Sequence, residues 1–132
     1  MGKYKKFIKH GVKESLDKVP FHKKAPIHRL SMLSKSMIPE SDTHVAVHFV
    51  DATKQLPQYS QLHKHSHDEI NLILSENSKL TYEIQLEDEK YKVSSPSTIY
   101  IPKGLQHSAQ AISGTGIFVC IILSSKYSSK EH

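Results

Sequence analysis

A single cysteine, Cys120, stands among 132 residues, which excludes an internal disulfide and any zinc site built from several thiolates. Any metal must then be held by nitrogen and oxygen. No apolar run reaches the roughly 18 residues that a membrane helix requires. The N-terminus, "MGKYKKFIKHGVKE", lacks the apolar stretch of a secretory signal, and Lys6 stands where a myristoylation signal wants Ser or Thr. These absences predict a cytoplasmic protein. Residues 1–43 are too short and too poorly patterned for a helix-turn-helix, which argues against a transcription regulator.

What is present suits one globular domain: 37% of residues are hydrophobic and 23% charged, in a chain long enough for a core but too short for two ordinary domains. The net charge of +5 is unevenly spread. Residues 1–30 hold nine Lys or Arg against two acids, and the rest hold nine against eleven. Within the basic segment Tyr4, Ile8, Val12, Leu16 and Val19 recur at intervals of four, four, four and three, which predicts an amphipathic helix, although Gly11 weakens it. The lysines carry no arginine-rich or aromatic pattern with them. The segment is therefore expected to dock on its own domain or a partner copy, with neither nucleic acid nor membrane as a partner.

Beyond Pro26 the chain reads as short strands, near residues 44–50, 59–65, 69–75, 80–87, 90–93, 98–101, 107–113 and 116–123. In "LTYEIQLE" Leu80, Tyr82, Ile84 and Leu86 share one face and Thr81, Glu83, Gln85 and Glu87 the other. "EDEK" at 87–90 and "SGTG" at 113–116 are turns, and "GIFVCIIL", apolar on both faces, suits a central strand. In "HVAVHFV" Val45, Val47 and Phe49 form the expected inner face, leaving His44 and His48 to solvent. This series predicts an all-β antiparallel sandwich or barrel.

The densest chemistry lies in "QLHKHSHDEINLIL", where His63, His65, His67 and Glu69 occupy every second position. Residues i and i+2 of a strand project from one face about 6–7 Å apart, so His63 and His65 can reach one ion. Four ligands in a straight strand would span roughly 20 Å, so the chain must turn at "SHD" for Glu69 to come back. His67 then falls at the bend, exposed rather than coordinated.

Two motifs now stand in order. His63, His65 and Glu69 have the spacing of the first motif of the cupins, and Pro102, Gly104 and His107 in "PKGLQH" have that of the second. Over about residues 59–123 the chain resembles that family. The resemblance implies a single jelly-roll barrel, a double-stranded β-helix, in which His63, His65, Glu69 and His107 hold one divalent metal. It divides the chain into a basic extension at 1–30, the barrel at 31–125 and a flexible tail at 126–132. Where the family commonly has asparagine this chain has Ala111, which makes that part of the pocket smaller and apolar.

Three histidines and one glutamate leave one or two positions open on the ion. The donors suit Fe(II), the first expectation, and equally Mn(II), Ni(II), Cu(II) or Zn(II). On Glu69's face Asn71 is placed to orient a substrate oxygen, and in a non-redox reaction Glu69, His67 or Tyr82 would move protons. Tyr82, Phe118 and Cys120 can equally be core packing. Three functions follow for a small-molecule ligand: a mononuclear dioxygenase, a non-redox isomerase, lyase or cyclase, and a binding or sensor module. Small cupins often pair their barrels, which predicts a homodimer.

Overall fold

A computed structural model describes residues 2–16, 26–76 and 79–124. Nine strands follow one another: β1 Val12–Glu14, β2 His28–Leu33, β3 His44–Asp51, β4 Glu69–Leu74, β5 Thr81–Leu86, β6 Glu89–Ser94, β7 Ser97–Ile101, β8 His107–Ser113 and β9 Thr115–Ile122. They form two antiparallel sheets, one ordered β1-β2-β3-β9-β4-β7 and the other β6-β5-β8. The core fills the space between them, with Ile73, Leu80, Tyr82, Ile84 and Phe118 at its centre. This is the expected all-β jelly roll. Among the described residues no helix is long and apolar enough to cross a membrane.

Local sequence explains the elements that position the site. The alternation of "LTYEIQLE" buries Leu80, Tyr82 and Ile84 while Glu83 faces outward, and Glu87 and Asp88 turn the chain from β5 into β6. The apolar "GIFVCIIL" becomes β9, paired on both sides by β3 and β4. Between β8 and β9 the turn needs Gly114: its φ is +88°, and a Cβ there would lie 1.7 Å from the Lys79 carbonyl oxygen.

Three expectations are corrected. Instead of an amphipathic helix, the N-terminal segment forms a single 3-10 turn at Lys5–Phe7 and then β1. Leu16 is buried in the core, whereas Tyr4, Phe7, Ile8 and Val12 are exposed; Val19 lies outside the described residues. Pairing of β1 with β2 satisfies backbone groups that a lone helix interrupted by Gly11 would satisfy less well, and Met32 packs close over Gly11. After the undescribed residues the chain resumes in β2, His28–Leu33, which pairs with β3. The expected tail at 126–132 lies outside the described residues.

The strand expected at 59–65 is also absent as a regular ladder. Side chains tie this segment to the edge of β8 instead. Gln110 receives the Tyr59 N–H (3.0 Å) and donates to the Pro57 carbonyl (2.9 Å), while the Ala109 N–H donates to the Ser60 hydroxyl (3.2 Å). Toward its end His63 and His107 exchange backbone N–H···O bonds of 3.0 and 2.7 Å. A single bridge thus joins one histidine of each motif.

The third correction concerns β3. Its inner face is His44, Ala46, His48 and Val50, and its outer face is Val45, Val47 and Phe49. Register decides this: His44, Ala46 and His48 stand opposite Ile122, Cys120 and Phe118 of β9, so they share the interior with them. His44 is only 3% exposed, and burial, reinforced by the Arg29 charge, lowers its pKa from 6.5 to about 4. The unfolded chain therefore binds this proton more readily. Its contribution to stability is intact above pH 6.5 and is lost as pH falls toward 4, amounting to about 2 kcal/mol after allowance for solvent screening. Urea unfolding at pH 7 and pH 4.5 should give a difference of that size between wild type and His44→Leu, and an identical pH slope in the two proteins would refute it.

A candidate metal centre

The first motif is folded back by Asp68. Its carboxylate accepts the Lys103 N–H (2.9 Å) and the Tyr100 hydroxyl (2.7 Å), and its carbonyl accepts the Leu123 N–H (3.0 Å). The Gly104 N–H donates to the His65 carbonyl at 2.8 Å, with Gly104 at a φ of +84°. These bonds lay the loop of the second motif against the turn of the first. Glu69 then enters β4 with its side chain inward, 5% exposed.

The imidazoles of His63, His65 and His107 offer ligand atoms within 4.8 Å of one another. Glu69 Oε1 lies 3.3 Å from His65 Nε2 and 3.2 Å from His107 Nε2. His63 Nδ1 faces the Gln61 carbonyl at 2.7 Å, and His107 Nδ1 faces the Leu105 carbonyl at 2.9 Å. A carbonyl can only accept, so Nδ1 carries the hydrogen in both rings and Nε2 keeps its lone pair for the centre. The other carboxylate oxygen, Glu69 Oε2, is held by the Asn71 amide at 2.8 Å and faces the Cys120 thiol at 3.5 Å. Asn71 and Cys120 are direct cross-strand neighbours on β4 and β9, which puts both beside Glu69.

The electrostatics agree with this grouping. Burial pushes the Glu69 carboxyl up, but His107 and His65 outweigh it and hold the group well below the usual carboxylate range. Burial lowers His63 to about 3, so this ring is neutral and able to act as a donor. For His107 burial is overcome by Glu69, and its pKa rises. Burial also pushes the Cys120 thiol well above its usual range, so it stays protonated beside Glu69.

A divalent ion fits these residues. Glu69 Oε1 and His107 Nε2 are buried and, although close, make no hydrogen bond of normal geometry, a costly arrangement that a shared cation relieves. Three imidazole nitrogens and one carboxylate oxygen are a common donor set for first-row divalent metals.

A cavity of about 40 Å³ opens over the cluster. That is room for a few water-sized groups. Besides the four residues just described and Asn71, its walls include Arg29, His48, Phe118 and Cys120. Asn71, expected to orient a substrate oxygen, directs its amide to Glu69 instead. His67, expected to move protons, is half-buried at the bend and outside the cavity lining, because the turn carries it away from Glu69. Tyr82 also lies outside the lining: it is fully buried and stacks on Phe118 with ring centroids 4.6 Å apart. Arg29 and His48 were not anticipated. The charged Asp51, on the same strand face as Val45 and Val47, is the signal that could have turned His48 inward.

No family model matches the chain, and no curated protein does. Solved structures do. The polyketide cyclase RemF from Streptomyces resistomycificus superimposes with a TM-score of 0.63 at 14% identity, over 96% of this chain and 80% of that one. A cupin-2 domain from Rhodospirillum rubrum gives 0.59 at 16% identity, over 90% and 71%. The fold is that of the cupins. The cupin likeness extends to oxalate decarboxylase from Bacillus subtilis, a protein with Mn(II) centres, at a TM-score of 0.58 and 15% identity over 92% of this chain and 33% of that one. At these identities the likeness is one of fold, and any shared chemistry rests on the residues themselves.

Proposed function

We propose that the protein is a metal-dependent enzyme acting on a small molecule, with one divalent ion held by His63, His65, Glu69 and His107, and that its reaction is of the mononuclear dioxygenase type. The observation that carries this reading is the convergence of both motifs on Glu69 Oε1, buried between two imidazole nitrogens 3.2 and 3.3 Å away. Fe(II), when bound, supplies a redox-active centre with open coordination positions. Asn71 and Cys120 fix the carboxylate, the Gln61 and Leu105 carbonyls fix two rings, and Phe118 and Ile122 restrict water at the cavity wall.

A non-redox isomerase, lyase or cyclase is the second reading, and His48 is the observation in its favour. Its imidazole lines the cavity and is held in place by Arg29, a neutral polar group beside the metal cluster that such a reaction could use to orient its substrate. Metal analysis of the purified protein followed by oxygen uptake separates the two. The dioxygenase reading expects about one redox metal per chain and uptake that depends on substrate. Zinc as the native metal, with no uptake after Fe(II) loading, would leave the non-redox reading.

We also propose that the barrel forms a homodimer through the outer face of its larger sheet. On that face Val45 opposes Ile121, Val47 opposes Val119 and Phe49 opposes Ile117, and Leu72 of β4 lies across from Val119. These outward residues make a continuous apolar patch across three neighbouring strands, a pattern usual where such a face is covered. Light scattering should give about 30 kDa, twice the 15.0 kDa chain, and Val47→Glu should halve it. A wild-type mass near 15 kDa at micromolar concentration would reject the dimer.

A further inference from the structure

On the inner face of the larger sheet Glu14, Arg29, His48 and Phe118 stand directly opposite one another on β1, β2, β3 and β9. Arg29 is 5% exposed, its Nε donates to Glu14 Oε1 at 2.7 Å, and its Nη1 lies 2.9 Å from His48 Nε2. A guanidinium can only donate, so His48 accepts at Nε2 and carries its own hydrogen on Nδ1. His48 adds no second positive charge. These bonds use two of the five N–H groups of a guanidinium, and the residue borders the cavity.

Burying a charged pair is expensive, and apolar residues of similar size would hold β1 to β2 as well or better. A purely structural pair has no need to border the cavity or to direct Nη1 at another cavity residue. Charge balance points the same way. Glu14 offsets Arg29, and Glu69 offsets one of the two charges of a divalent ion, which leaves one positive charge in an enclosed site. A single anionic group completes it.

Resting on the metal reading above, we propose that the cavity takes a small monoanionic carboxylic acid, whose charged oxygens are received by Arg29. Arg29 is the binding residue, Glu14 positions it from outside the cavity, and His48 holds the guanidinium plane toward the ligand. The small volume over the metal cluster limits the acid to a few heavy atoms.

The test uses the full chain loaded with Co(II) and titrated calorimetrically with pyruvate and with pyruvamide, which has the same shape without the charge. Pyruvate should bind at least about 30-fold more tightly, as a charge-assisted fork predicts. The double variant Arg29→Met with Glu14→Gln, which strands no charge, should lose about tenfold or more of that preference while keeping one Co(II) per chain. Arg29→Lys keeps a point charge but no fork and should lose several-fold. If the double variant fails to fold, the lysine variant and the wild-type ratio decide. Equal wild-type affinity for the two ligands, or an undiminished preference in the variants, overturns the proposal. A wild-type chain that holds no Co(II) overturns the metal reading instead.

Discussion

Replacing His65 by alanine will strip most of the divalent ion from the protein, whereas replacing His67 by alanine will leave metal content unchanged. The two histidines are two residues apart, but only His65 points its ring at Glu69, with Nε2 3.3 Å from Oε1. Loss of a group that merely orients a ligand weakens metal binding about 10- to 100-fold, so loss of a ligand itself should exceed that range. The fold should survive, because the turn is held by Asp68 and by the Gly104 bond to the His65 carbonyl, which alanine keeps. Metal content after dialysis, read with circular dichroism as the folding control, checks this. Full occupancy in the His65→Ala protein would remove His65 from the ligand set.

The largest effect on stability is expected from Tyr82→Ala, about 3–5 kcal/mol. The ring is fully buried between the sheets, stacked on Phe118 at an interplanar angle of 19°, and its removal leaves a void that rigid strands on both sides cannot close. Tyr82→Phe keeps that packing and gives up only the hydroxyl, which is buried without a hydrogen bond of normal geometry, so it should cost less than about 1 kcal/mol. The pair also separates packing from catalysis. A proton-moving Tyr82 would lose turnover in the phenylalanine variant at nearly unchanged stability, and its position behind Phe118 predicts that turnover stays. Denaturant unfolding of both variants beside their activity measures this.

Period-2 patterning made the sheets readable wherever one strand face was polar. In "LTYEIQLE" the buried and exposed faces could be assigned residue by residue, and β5 follows that assignment. Spacing alone brought His63, His65 and Glu69 toward one point, provided that the chain turned at "SHD"; that turn is present, held by Asp68. What alternation could not resolve was β3, where both faces carry apolar residues. Its histidines face inward because Phe118 and Ile122 stand opposite them, and such pairing is not written in any one strand. Arg29 was hidden for a related reason. It sat in a segment whose lysines dominated the charge count, and its membership of the barrel depends on β2 pairing with β3 across ten residues of loop. The missing ladder at 59–65 reflects Gln110 and Ser60, whose side chains replace backbone partners in a way that residue patterns do not announce.

A crystal structure of the protein as purified, with anomalous diffraction recorded at the absorption edge of the metal found by elemental analysis, tests the central claim most directly. One anomalous peak is expected, about 2.0–2.2 Å from a ring nitrogen of His63, His65 and His107 and from an oxygen of Glu69. Crystals of metal-replete protein with no peak among these four residues, or with the ion bound elsewhere, would contradict it.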